Sequence, residues 1–282
     1  MNNKIFLSSK GTLATGIQPY VELRRTTITV TLRCTLKCKL CSADVINYPI
    51  PPHYTYEFIA KEVDRYFQLI DYVEWLQYSG GEPFMNKELP QMIEKAMEYS
   101  ERFDKLILFS NGTILPTEEM IHVMVKYKDK ISFILSHYGD ISCKANELVK
   151  LWEDNKLSHK VKKYYGDDLY CNGWVDFGGW DKRNSSINRL CEVYDNCAIH
   201  DMRFTVVQNG EFHLCRMSFR GMELGAIPRN KNNYLDIFDE GITISQMKDK
   251  INQLMNINYI DACDYCNGLD NDSYRISPAE QL

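Results

Sequence analysis

The sequence predicts an α/β fold organised around a parallel sheet. Through the first half of the chain, short β-branched or aliphatic runs alternate with amphipathic stretches at a period of about thirty residues, the pattern of successive strand–helix units. Three of the predicted strands end alike, in a serine followed by small or polar residues. Ligands bind at the carboxyl ends of such strands, so those endings are expected to line one shared site.

The elements follow in order. Residues 1–26 form a lead-in without a strong pattern. Thr26-Thr27-Ile28-Thr29-Val30-Thr31-Leu32 is a β-branched run that reads as a buried strand leading into a cysteine cluster. Beyond Pro49, Pro51 and Pro52, Thr55 can cap a helix with Phe58, Ile59, Val63, Phe67 and Ile70 on its apolar side. Val73 to Tyr78 is the second strand, closed by Ser79-Gly80-Gly81, and Pro90 suits the first turn of the helix that follows. Leu106 to Phe109 is the third, ending at Ser110-Asn111-Gly112, with a helix over 117–128 behind it. Ile131 to Leu135 is the fourth, ending at Ser136-His137-Tyr138-Gly139, with a helix over 145–155.

After about residue 160 the rhythm breaks. Residues 166–188 are rich in Gly, Asp, Asn and aromatics and read as irregular connection, and Gln208-Asn209-Gly210 between two apolar runs signals a β-hairpin. A boundary is therefore expected near 165, with a βα domain at 1–165 and a cysteine-bearing unit at 166–282.

Composition narrows the function. With 282 residues, 44% hydrophobic and 25% charged, the chain can bury a sizeable core. Its 33 basic and 38 acidic residues leave a net charge of −5, which argues against a general binder of nucleic acid or anionic membrane. No run approaches the roughly 20 apolar residues of a membrane span, and the first residues lack the apolar segment of a secretory signal. The protein is expected in the cytoplasm, where thiols stay reduced. The clustering of its ten cysteines then points to metal.

Cys34-Thr35-Leu36-Lys37-Cys38-Lys39-Leu40-Cys41 is a C-x3-C-x2-C loop at the end of the first strand. Three thiolates can hold three irons of a [4Fe–4S] cluster and leave the fourth open to a small molecule. Zinc is the alternative, but a structural zinc site is closed by a fourth Cys or His, and the nearest histidine is His53 across a proline-rich stretch. Ser79-Gly80-Gly81-Glu82-Pro83 follows the second strand; its bare glycines let a backbone approach a ligand closely, or simply make a turn.

Together, in this order and at these strand ends, the two motifs resemble the radical S-adenosylmethionine (SAM) superfamily, a likeness that covers the chain to about residue 160. The resemblance implies a partial (β/α)6 barrel in which SAM completes the open iron. It implies that Cys34, Cys38 and Cys41 bind the cluster and that Gly80, Gly81 and Glu82 meet the methionine end of SAM. Ser110, Asn111 and Ser136 fall where the family contacts methionine or ribose. Leu40 stands where the family usually has an aromatic residue against adenine. An electron donor such as flavodoxin or ferredoxin is implied too.

Cys197, Cys215 and Cys263-Asp264-Tyr265-Cys266 form a second group that can converge on one metal. Four thiolates can close either an auxiliary [4Fe–4S] cluster or a zinc site. The arrangement resembles the one-cluster Twitch form of the SPASM module, with spacing similar to the inosamine dehydrogenases of aminoglycoside assembly. Cys191 is an extra thiol, either a small side chain, a replacement ligand or a hydrogen donor. Cys143 and Cys171 read as structural. Arg203 and Arg216 flank the hairpin as candidates to orient substrate or accept a proton.

The expected activity is hydrogen abstraction from a small polyhydroxylated substrate, a sugar or cyclitol, with oxidation or epimerisation of a carbinol carbon. Tyr164, Tyr165, Asp167, Asp168, Tyr170, Trp174 and Trp180 suit a polyol and equally suit a solvated loop. Peptide modification is the competing reading, although few residues precede the first strand to recognise a peptide. A non-catalytic iron–sulfur or zinc protein is the third.

Overall fold

A computed structural model describes residues 19–282; most of the lead-in expected at 1–26 lies outside the described residues. The first strand, β1 (Glu22–Thr31), is followed by α1 (Tyr56–Leu69), β2 (Tyr72–Gly80), α2 (Leu89–Met97), β3 (Phe103–Ser110), α3 (Glu118–Lys126), β4 (Ile131–His137), α4 (Ala145–Asp154) and β5 (Ser158–Lys163). Thr55 and Thr117 cap α1 and α3, each accepting from a backbone N–H three residues on.

Strands β1 to β5 pair in parallel, as the alternating pattern predicts. On the helix-covered face, Ile28, Val30, Leu76, Tyr78, Leu106, Leu108, Phe133 and Leu135 are buried against Ile59, Val63, Met92, Ile93, Met120, Met124, Leu148 and Trp152. The alternate residues turn to the other face, where Thr27 donates to Gln77 at 3.0 Å and Thr29 to Gln208 at 3.0 Å. One face is thus an apolar core, and the other carries buried polar pairs along β1.

The second half adds β6 (Trp174–Val175), α5 (Ile187–Asp195), α6 (Ala198–Asp201), β7 (Phe204–Gln208), β8 (Glu211–His213), α7 (Arg216–Glu223), β9 (Tyr234–Asp236), α8 (Ile244–Met255) and β10 (Arg275–Ile276). The order in the main sheet is β5-β4-β3-β2-β1-β7-β8-β9. Two expectations change here. Six strands, β5-β4-β3-β2-β1-β7, run parallel, consistent with a partial barrel, and the sixth, β7, comes from the hairpin and pairs with β1. The hairpin therefore belongs to the main sheet, which runs continuously across residue 165. The second change is β5, absent from the sequence reading. Its Ser158-His159-Lys160-Val161-Lys162-Lys163 is polar because the strand lies at the sheet edge with much of its surface exposed.

Candidate functional site

The cysteine loop leaves the carboxyl end of β1 and is held there by β2. The Gly81 N–H donates to the Thr31 carbonyl at 2.8 Å and the Glu82 N–H to the Arg33 carbonyl at 2.9 Å. A Cβ on Gly80 would stand 1.8 Å from the Thr31 oxygen, and one on Gly81 2.2 Å from the Arg33 oxygen. Only glycine permits this approach, and at Gly80 the φ of 147° adds to the requirement. The space that a side chain would fill is occupied by the backbone leading into Cys34.

Glu82 extends the brace to β3. Its buried carboxylate accepts from the Asn111 N–H at 2.7 Å, the Ser110 hydroxyl at 3.2 Å and the Phe84 N–H at 3.3 Å. Burial pushes its pKa up to about 7 against the pull of those three donors. Asn111 in turn donates to Cys34 Sγ at 3.5 Å and to the Thr35 hydroxyl at 3.0 Å. Gly80, Gly81, Glu82, Ser110 and Asn111 are thus gathered around the loop, with Glu82 facing inward to the protein. Ser136 neighbours the Tyr138 phenol, which lies within electrostatic reach of Cys38 and Cys41.

Two donors besides Asn111 point at the loop's sulfurs: the Leu36 N–H at 3.5 Å from Cys34 Sγ and Gln281 Nε2 at 3.2 Å from Cys38 Sγ. Burial holds the Cys34 thiol up at about 11, helped by the nearby Glu82, Cys41 and Cys38. A bound cation would reverse that preference, since metal takes thiols as thiolates. The neighbours able to close a fourth corner are committed elsewhere: Asp44 to Arg220 at 2.8 Å and Asn47 at 2.6 Å, His53 Nδ1 to Thr31 at 2.9 Å. Three loop thiols, two of them facing N–H donors, with those neighbours committed elsewhere among the described residues, fit a cluster with one open iron.

The second group is gathered from three segments. Cys197 precedes α6, Cys215 caps α7 with its Sγ accepting from the Ser218 N–H at 3.4 Å, Cys263 lies in a 3-10 turn, and Cys266 Sγ accepts from the Gly268 N–H at 3.3 Å. Their charges interact with one another. Burial pushes Cys215 up strongly, Cys263 up to about 12 and Cys266 up to about 11. The helix N-terminus at Cys215 favours a thiolate there. Among the described residues, no three or more His, Cys, Asp or Glu side chains are arranged to hold a single metal ion. Cys191 is half-buried on α5, one turn from Tyr194, which lies beside this group; no hydrogen bond among the described residues joins Cys191 to the four.

Arg216 directly follows Cys215 and faces the other way. It donates to Gln208 Oε1 at 3.4 Å and is within electrostatic reach of Cys41, Tyr48 and Tyr54, with no acidic partner among the described residues. Burial lowers its pKa. Gln208 Nε2 beside it is buried without a partner, an unsatisfied donor. Arg203 differs from Arg216: it is exposed at the start of β7, the strand end remote from the cysteine loop, so it is removed from this site. Cys143 and Cys171 are exposed too, so neither fills a core.

The linking segment divides. Tyr138 stacks on Tyr164 at 5.5 Å and meets Trp174 edge-on at 5.7 Å. Trp174 and Leu40 line one cavity with Tyr274 and Ile276. Asp167 and Asp168 are exposed, and Arg183 ties its chain to the Cys266 carbonyl at 2.6 Å. Tyr138, Gln208 and Gln281 were not singled out from sequence; only Tyr138, in a strand ending, carried a signal.

Residues 28–156 match the sequence model of the family described as Radical SAM superfamily. The chain is similar to the crystal structure of BtrN in complex with AdoMet and 2-DOIA, at 18% identity and TM-score 0.56 over 92% of this chain and 98% of that one. It is also similar to native anSMEcpe with bound AdoMet and Kp18Cys peptide, at 13% identity and TM-score 0.53 over 92% and 93%. SuiB of Streptococcus suis bound to S-adenosylmethionine matches at 12% identity and TM-score 0.48 over 91% and 77%. For the first two, at these identities, the likeness is one of fold.

Proposed function

We propose, from the match of residues 28–156 to the Radical SAM superfamily model, that the chain is a radical SAM oxidoreductase. Its substrate would be a small polyhydroxylated molecule, a sugar or cyclitol, oxidised or epimerised at a carbinol carbon. The observation that carries this reading is the adjacency of Cys215 and Arg216: one residue belongs to the second thiol group while the next donates at 3.4 Å to Gln208 Oε1, the acceptor that Thr29 near the end of β1 also uses. A substrate held by Arg216 would lie between two metal centres, one to start a radical and one to accept its electron.

Cys34, Cys38 and Cys41 would hold a [4Fe–4S] cluster, and Cys197, Cys215, Cys263 and Cys266 an auxiliary one in a Twitch-like unit over 166–282. When bound, the first cluster and SAM supply a 5′-deoxyadenosyl radical able to take hydrogen from a C–H bond. The chain's own residues position and exclude. Gly80 and Gly81 keep the loop against β2, and Glu82 keeps Ser110 and Asn111 beside it. Ser136 lies on the same rim. Leu40, with Trp174 across the cavity, would pack on adenine. Arg216 and Gln208 Nε2 offer donors to a substrate hydroxyl. An epimerising outcome needs a thiol to return hydrogen, the role open to Cys191. Flavodoxin or ferredoxin would supply electrons, and no described helix is long and apolar enough to cross a membrane.

Anaerobic reconstitution, an iron count and assay of 5′-deoxyadenosine after adding reductant and SAM test the proposal. About eight irons per chain are expected for two clusters. Failure to cleave SAM would overturn it. Deuterium transfer into 5′-deoxyadenosine from a labelled polyol, and none from peptide, separates this reading from peptide modification.

A further inference from the structure

The last described residues fold back onto the cysteine loop. Lys39 N–H donates to the Glu280 carbonyl at 2.8 Å and Leu282 N–H to the Lys37 carbonyl at 3.0 Å, so Cys38 and Gln281 face each other as an antiparallel bridge. Lys39 and Glu280 add an ion pair. The reversal is built at Ala279, fully buried with a φ of 53°, a conformation that a non-glycine residue holds only when its surroundings impose it.

This placement gives one side chain a defined task. Gln281 Oε1 accepts from the Lys37 N–H at 2.8 Å, which fixes the orientation of the amide. The same amide then directs Nε2 to Cys38 Sγ at 3.2 Å and to the Ala279 carbonyl at 2.6 Å. Cys38 is the buried member of the three loop thiols, the other two being partly exposed. Where water is excluded, a donor to sulfur is felt strongly.

We propose that Gln281 is a positioning residue that sets the reduction potential of the first cluster through its hydrogen bond to Cys38, an inference that rests on the proposed cluster at Cys34, Cys38 and Cys41. A donor to a ligating sulfur withdraws negative charge and favours the reduced cluster. Removing it should make that cluster harder to reduce. The strap thereby connects segment 277–282, whose neighbour β10 pairs with β6 of the linker, to the redox behaviour of the distant loop.

The test is a redox titration of reconstituted holoprotein followed by electron paramagnetic resonance, with the first cluster identified as the signal that SAM perturbs. Gln281→Ala removes the donor. Gln281→Glu keeps the acceptor for Lys37 and sets an oxygen against Cys38. Both variants should shift that cluster to a more negative potential, Glu more than Ala, so that its reduced fraction at a fixed poise falls several-fold while the iron count holds. An unchanged potential in Gln281→Glu overturns the proposal. Loss of the first cluster from both variants overturns it too, marking Gln281 as a clamp on the loop. Wild-type protein without a SAM-responsive cluster removes the premise itself, a failure visible before any variant is made.

Discussion

The Glu82 carboxylate lies 2.7 Å from the backbone N–H of Asn111, and the Asn111 side chain lies 3.5 Å from Cys34 Sγ. A residue from the end of β2 thus sets the end of β3, which in turn supports a candidate metal ligand after β1. Glu82→Gln replaces an acceptor by an amide that has to turn one donor toward other donors. With the carboxylate fully buried, the expected cost is about 1–3 kcal/mol. Thermal unfolding should show that loss, and reconstituted protein should retain less iron at the first site than wild type.

Gly81→Ala should be more severe. Its Cβ would stand 2.2 Å from the Arg33 oxygen and 2.6 Å from the Arg33 carbonyl carbon, both backbone atoms that no rotamer change can move. The loop has to detach from β2, losing the 2.8 Å and 2.9 Å hydrogen bonds of Gly81 and Glu82. We expect a destabilisation of about 3 kcal/mol or more, the range of strongly strained sites. Iron at the Cys34 loop should be lost while the second group keeps its own, which a count near four irons per chain would show.

Much of this was legible in the sequence because it rests on short-range rules. The β-branched run before Cys34, the capping threonines at 55 and 117 and the apolar runs of β2 to β4 each express a local preference that tertiary structure kept. The cysteines were legible as two groups because their spacing alone sets them apart. What escaped depends on long-range pairing. Strand β7 reads as a hairpin arm and nothing local says that β1 is its partner. Edge position makes β5 polar, which hides its strand character. Gly80 and Gly81 read as room for a ligand or as a turn, yet what fills the space beside them is the chain some fifty residues earlier. Gln281, an ordinary polar residue in sequence, gains its place only from the return of the chain to Lys37 and Lys39.

A buried carboxylate away from the cysteines gives a pH prediction. Glu62 accepts from the Gly210 N–H at 2.8 Å with Oε1, while Oε2 has no partner. Burial pushes its pKa up to about 8. The folded protein therefore keeps a proton that the unfolded chain releases at the ordinary glutamate value, so stability is full below that value and falls as pH rises toward 8. The loss is on the order of a few kcal/mol. Glu62→Gln can keep the bond to Gly210 and carries no charge. Its melting temperature should exceed that of wild type at pH 9 and the difference should shrink at pH 5; equal curves at both would place the ionised carboxylate in contact with water.

Cys215 and Arg216 make separable predictions although they are neighbours. On the proposed two-cluster reading, Cys263→Ser and Cys266→Ser together should drop iron from about eight to about four per chain. With the first site intact, SAM cleavage should persist while oxidised product is lost, because the substrate radical has no nearby centre to receive its electron. Arg216→Lys keeps the charge but gives up the planar guanidinium that reaches Gln208 at 3.4 Å. Iron content should not change in that variant. If Arg216 holds a substrate hydroxyl, product formation should fall by roughly 10- to 100-fold, about what losing 1.4 to 2.8 kcal/mol of transition-state binding removes. Uncoupled 5′-deoxyadenosine should rise relative to product, since the radical would form beside a substrate no longer held in line. A variant that loses iron as well would show that Arg216 supports the cysteine loop through Cys41, and that result would sink its assignment as a substrate contact.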